Sequence, residues 1–111
     1  MTYKDLMNMK DNDGLTLKNN KAVEYKSGYQ VATEGKETRN SKMAMHFIKL
    51  YNGNCGIWKS NGTYYIDKSH RESTKRQALK IGRECNQLSI LKWSDKSLVW
   101  CWTFIRYHLT K

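Results

Sequence analysis

The sequence predicts an α+β domain in which a largely antiparallel sheet of five to six strands carries two helices packed on one face. Three observations point there. Short apolar and aromatic runs alternate with period two, two longer stretches repeat apolar residues at helical spacing, and the strands come in pairs joined by polar or Asn-Gly turns. The chain of 111 residues contains no proline, so no strand is kept out of the sheet on that ground. A chain this short hides roughly 65% of its unfolded surface, enough for one modest core. That predicts a single α+β domain over 14–111, preceded over 1–13 by a flexible arm or a short helical turn.

In order, residues 1–13 mix polar residues with Leu6, Met7 and Met9, and the end is expected to fray. Leu15-Thr16-Leu17 and Ala22-Val23-Glu24-Tyr25 alternate on either side of the polar turn Lys18-Asn19-Asn20-Lys21, the pattern of a small hairpin. After Gly28, Tyr29-Gln30-Val31-Ala32 reads as a third short strand or a bulged continuation, and Glu34-Gly35-Lys36-Glu37 as a loop. Asn40 or Ser41 caps a helix with Met43, Ala44, Phe47, Leu50 and Tyr51 on one face, and Gly53 ends it.

Residues 55–67 form the central hairpin. Asn61-Gly62 favours a two-residue type I′ turn because both residues tolerate positive φ. The register follows: Ser60 faces Thr63, Lys59 faces Tyr64, Trp58 faces Tyr65 and Ile57 faces Ile66. Ile57 and Ile66 then share one face of the sheet, and Trp58 and Tyr65 share the other. A basic connection over 68–72 leads into a helix over 73–85. Thr74 is placed to accept from the amide of Gln77 while the Gln77 side chain reaches back, a capping box. Ala78, Ile81, Gly82 and Cys85 fall on one side of that helix, and Arg76, Lys80 and Arg83 on the opposite side. Glu72 stands four residues before Arg76, the favourable order for an ion pair.

Asn86 suits the left-handed residue that closes a helix, and 87–93 returns as a strand. After the turn Ser94-Asp95-Lys96-Ser97, a strand over 98–105 puts Leu98, Trp100, Trp102 and Phe104 on one face and Val99, Cys101, Thr103 and Ile105 on the other. With both faces apolar, it is either central or an edge strand that meets a partner, a homodimer through 98–105 being one form. The expected core includes Phe47, Ile57, Ile66, Ala78, Ile81 and Ile90.

The strings Gly56-Ile57-Trp58, Tyr65-Ile66-Asp67-Lys68-Ser69 and Ala78-Leu79-Lys80-Ile81-Gly82-Arg83-Glu84-Cys85-Asn86-Gln87, with Ser27-Gly28-Tyr29-Gln30-Val31 before them, resemble a module of small phage and mobile-element proteins. The resemblance covers roughly 14–93. It implies a mobile-element origin and an anti-defence role such as anti-CRISPR, and it transfers no catalytic residue.

Twenty Lys and Arg against ten Asp and Glu give a net charge of +10, which points to a polyanionic partner. Fifteen of the twenty are Lys, so a compositional bias of the gene is the competing explanation. No apolar run approaches the roughly 20 residues that cross a bilayer, and the first residues lack the apolar segment of a signal peptide, so a cytoplasmic protein with no membrane partner is expected. Three cysteines, Cys55, Cys85 and Cys101, form no CxxC pair, and His46, His70 and His108 are dispersed, so neither a disulfide framework nor a metal site is expected.

No cofactor is implied. Cys55 with His70 is the one nucleophile and base that the hairpin could bring close, and a small buried residue is the commoner reading of Cys55. No phosphate-binding glycine loop is present. The stronger signal is cationic: Lys68, His70, Arg71, Lys75, Arg76, Lys80 and Arg83 lie within sixteen positions. Trp58 and Tyr65 would add a stacking platform for bases, or else pack against a helix.

The charge predicts a non-enzymatic protein that binds nucleic acid or a nucleoprotein, and the resemblance implies that it is a phage or mobile-element protein whose nucleoprotein target belongs to host defence. The sharpest form that the resemblance implies is an anti-CRISPR acting stoichiometrically on a guide-RNA Cas effector such as Cas9. A chain this basic would not mimic the DNA phosphate backbone, and would engage guide RNA, target DNA or an acidic surface. A phage regulator that binds duplex DNA, and a small enzyme, are the alternatives.

Overall fold

The computed structural model describes residues 1–102. Its elements run α1 (Tyr3–Met7), β1 (Gly14–Lys18), β2 (Lys21–Ala22), β3 (Tyr29–Thr38), α2 (Ser41–Leu50), β4 (Cys55–Ser60), β5 (Thr63–Glu72), α3 (Lys75–Glu84), β6 (Ser89–Lys92) and β7 (Ser97–Trp100). The fold is α+β, with a seven-stranded antiparallel sheet in the order β2-β1-β4-β5-β3-β6-β7. Among the described residues there are thus three helices and seven strands, against the expected two helices and five to six strands.

The differences have local causes. The amino-terminal segment takes the helical alternative, because Thr2 and Asp5 close a capping box and Leu6 is fully buried. The polar run 34–37, expected as a loop, continues β3. The connection 68–72 continues β5, whose burial passes from Tyr64 and Ile66 to Ser69; that odd step breaks the period-two signal. The last strand ends at Trp100, and the expected 103–105 portion lies outside the described residues.

The chain divides into two compact units, one of residues 1–23 and 34–68 and the other of 24–33 and 69 onward. The first is built on the Asn61-Gly62 hairpin. Both turn residues have positive φ, 51° and 76°, and the β4–β5 register pairs Ser60 with Thr63, Lys59 with Tyr64, Trp58 with Tyr65 and Ile57 with Ile66, as the sequence predicts. Strand β1 pairs with β4, and Leu17, Cys55, Ile57, Tyr64 and Ile66 meet Leu6, Ala44, Ile48 and Tyr51 in one core. The Tyr64 hydroxyl donates to Leu6 O at 3.2 Å.

Helix α2 starts at Asn40, whose side chain accepts from the amides of Lys42 and Met43. It ends on Asn52 in the left-handed conformation, with Gly53 N donating to Ile48 O at 2.9 Å. Its buried residues are Ala44 and Ile48, whereas Met43 and Leu50, expected on the packed face, are exposed and Phe47 is half-buried. The helix is rotated so that Ile48, not Leu50, meets the core.

The second unit centres on α3. Ala78 is fully buried with Val31, Ile90 and Cys101, while Ile81, expected inside, packs half-exposed at the margin. A Cβ on Gly82 would lie 2.7 Å from Cys101 Sγ and 3.3 Å from Ile90 Cγ2, so any side chain there would have to displace Cys101. Asn86, at φ 58°, closes the helix as predicted, with Gln87 N donating to Gly82 O at 2.8 Å. Among the described residues, no helix is long and apolar enough to cross a membrane.

Candidate nucleic-acid interface

Helix α3 carries the densest part of the cationic run. Its cap is one-armed: Thr74 accepts from the Gln77 amide at 3.3 Å, and the return bond of the expected capping box is not formed. The Gln77 side chain instead joins Thr74, Arg76, Lys80 and Arg83 in lining one open recess along the helix. Spacings of three and four residues put these side chains on neighbouring turns, opposite the buried Ala78 and Gly82. The sequence marks Thr74 and Gln77 only as caps; the position of Gln77 between Arg76 and Lys80 is the signal for its second role.

The cations differ in what they do. Arg76 and Lys80 are exposed, and among the described residues no hydrogen bond, ion pair or ring contact engages them. Lys75 is likewise exposed at the first helical position. The first turn holds Lys75 and Arg76 and no acid, so two positive charges sit at the positively polarised end, each costing about 0.3–1 kcal/mol. Arg83 is exposed but anchored, its Nε donating to Cys101 O at 2.6 Å. The expected ion pair of Glu72 with Arg76 is replaced by His70, whose Nε2 lies 2.8 Å from Glu72 Oε1.

Arg71 is a structural staple. Its Nε donates to Ser27 O at 3.0 Å, its guanidinium lies 5.3 Å from the Tyr25 ring, and a Cβ on Gly28 would strike it at 2.7 Å. Tyr25 in turn meets Trp93 edge-on at 5.4 Å. Lys68 is an exposed residue of the first unit, at the stretch where β5 passes to the second.

Trp58 and Tyr65 also belong to the first unit. They are 48% and 38% exposed, with ring centroids 5.3 Å apart and planes tilted by 31°. They stand on the face opposite the buried Ile57 and Ile66 and are exposed.

The remaining chemistry is quiet. Burial pushes the Cys55 thiol up to about 12, so it holds its proton at neutral pH and is no nucleophile there. All three cysteines are free thiols, and among the described residues no three His, Cys, Asp or Glu side chains gather as metal ligands would. One acid stands apart. Asp67, paired with Gly56 across the hairpin, is pushed up to about 6 by burial, which the hydrogen bond from Gly56 N opposes.

A helix whose first turn is cationic and free of acids, in one unit, and an aromatic shelf, in the other, define kinds of surface and not a family. No family model, curated protein or solved structure matches the chain.

Proposed function

We propose that this protein is a stoichiometric binder of nucleic acid, free or within a nucleoprotein, and that α3 is its phosphate-contacting element. The observation that carries the reading is the state of Arg76 and Lys80. Both line an open recess and neither is engaged by a described residue; Arg76 also lies in the first turn of the helix, which holds no acid, and Lys80 follows one turn on. The net charge of +10 supplies the long-range attraction. The buried, protonated Cys55 supports a binding role over a thiol-based enzyme. A guide-RNA effector such as Cas9 as the bound nucleoprotein is the sharpest form of the proposal, and it rests on the resemblance to mobile-element proteins.

The experiment compares two double charge reversals by fluorescence anisotropy with a labelled oligonucleotide. Arg76→Glu with Lys80→Glu should weaken binding by at least about tenfold. Lys42→Glu with Lys49→Glu on α2 changes the net charge equally and should weaken it far less. Equal losses for both pairs would reduce the effect to net charge and remove α3 from the interface.

A further inference from the structure

The open face of the first unit carries a constellation that the cationic helix does not explain. Trp58 pairs with Tyr65, and one step along the same face Gly56 pairs with Asp67. Residues two apart on a strand stand about 6.6–6.8 Å apart on one face, so the carboxylate lies beside the aromatic shelf. It leans over Gly56, where a Cβ would fall 2.6 Å from Asp67 Oδ1. On the other side a Cβ on Gly35 would fall 3.6 Å from Asp67 Cβ, and Gly35 is exposed. Asp67 is therefore bordered on both sides by residues without side chains. Gly14, the β1 partner of Trp58, keeps the floor flat on that side as well.

The carboxylate is under-supplied. Oδ1 accepts from Gly56 N at 3.2 Å, and among the described residues no cation and no second donor bonds it, in a chain with twenty Lys and Arg. A desolvated carboxylate with spare acceptor capacity next to exposed rings is a site built for a planar donor of N–H groups.

We infer that this face is a subsite for one unpaired guanine base of a single-stranded nucleic acid, stacked on Trp58 and Tyr65 with its N1–H and 2-amino group donating to the Asp67 carboxylate. This rests on the nucleic-acid reading and names the base. Guanine alone among the common bases presents two adjacent donors on its pairing edge, a fork that matches the two oxygens of a carboxylate. Adenine and cytosine set a ring-nitrogen acceptor beside one amino donor, and thymine flanks one N–H with two carbonyls, so each turns an acceptor towards Asp67. An arginine side chain of a protein partner offers a similar fork, but a chain of net charge +10 repels cationic partners.

The test uses the full chain and oligothymidylates carrying one central deoxyguanosine, deoxyinosine or deoxyadenosine, read by anisotropy. Deoxyguanosine should bind about tenfold tighter than the other two, deoxyinosine losing the 2-amino donor. Asp67→Asn should abolish that preference, since an amide has one acceptor oxygen. Trp58→Ala should weaken every oligomer. Equal affinity for the three bases, or a guanine preference that survives Asp67→Asn, overturns the subsite while leaving the α3 reading in place. Tighter binding of an arginine peptide than of the guanine oligomer also overturns it. Failure of every oligomer to bind at low salt overturns both.

Discussion

Replacing Asp67 with Asn should stabilise the protein at neutral pH, because the native state holds this carboxyl in a place that disfavours its charge. The carboxyl moves from an ordinary 3.8 to about 6, burial outweighing the hydrogen bond from Gly56 N. A tenfold change in acidity corresponds to about 1.4 kcal/mol, so ionised Asp67 costs the native state about 2–3 kcal/mol at pH 7. The sign follows from the order of the two values. The folded carboxyl binds its proton before the unfolded one does, so the penalty is full above about pH 6 and fades as the pH falls towards 4. Asn is close in shape, and its amide oxygen still accepts from Gly56 N. Urea unfolding of wild type and Asp67→Asn at pH 7.5 and pH 4 should therefore show the variant ahead by about 2–3 kcal/mol at the higher pH and level at the lower. A variant less stable at pH 7.5, or a gain independent of pH, would refute the assignment of Asp67 as a strained carboxylate.

Two further substitutions test the cores. Ile66→Asp places a charge at a position 1% exposed, and should cost on the order of 4–5 kcal/mol or more, comparable to the whole stability of a small domain; an unchanged melting temperature would contradict the face assignment of the hairpin. Gly82→Ala would stabilise an open helix by about 1 kcal/mol, but here its Cβ meets Cys101 Sγ at 2.7 Å, and overpacking of about 1–3 kcal/mol should outweigh the gain. A raised melting temperature would show that Cys101 moves aside freely.

The hairpin was legible in the sequence down to its register, because an Asn-Gly turn leaves only one pairing, and the register in turn placed Trp58 with Tyr65. Whether that pair lies inside or outside was not legible, since two aromatics on one face fit a core and a platform equally. Helix α3 and its cationic face followed from period and capping residues, and so did its close at Asn86. A period-two pattern in the sequence ends β5 too early, because burial changes phase between Ile66 and Ser69. The anchoring of Arg83 on Cys101 O and of Arg71 on Ser27 joins residues far apart in sequence, which no local pattern encodes. Asp67 could have been found: the predicted register already set it opposite Gly56, and a carboxylate facing a glycine has room to lean over the sheet.

The most direct test of α3 as the phosphate-contacting element is the salt dependence of oligonucleotide affinity for wild type and for Arg76→Glu with Lys80→Glu. Each phosphate neutralised contributes about 0.7–0.9 to the slope of log affinity against log salt. The account predicts a steep fall with salt for wild type and a slope shallower by about 1.4–1.8 in the double variant, which loses two of the contacts. Affinity insensitive to salt, or identical slopes for the two proteins, would contradict it.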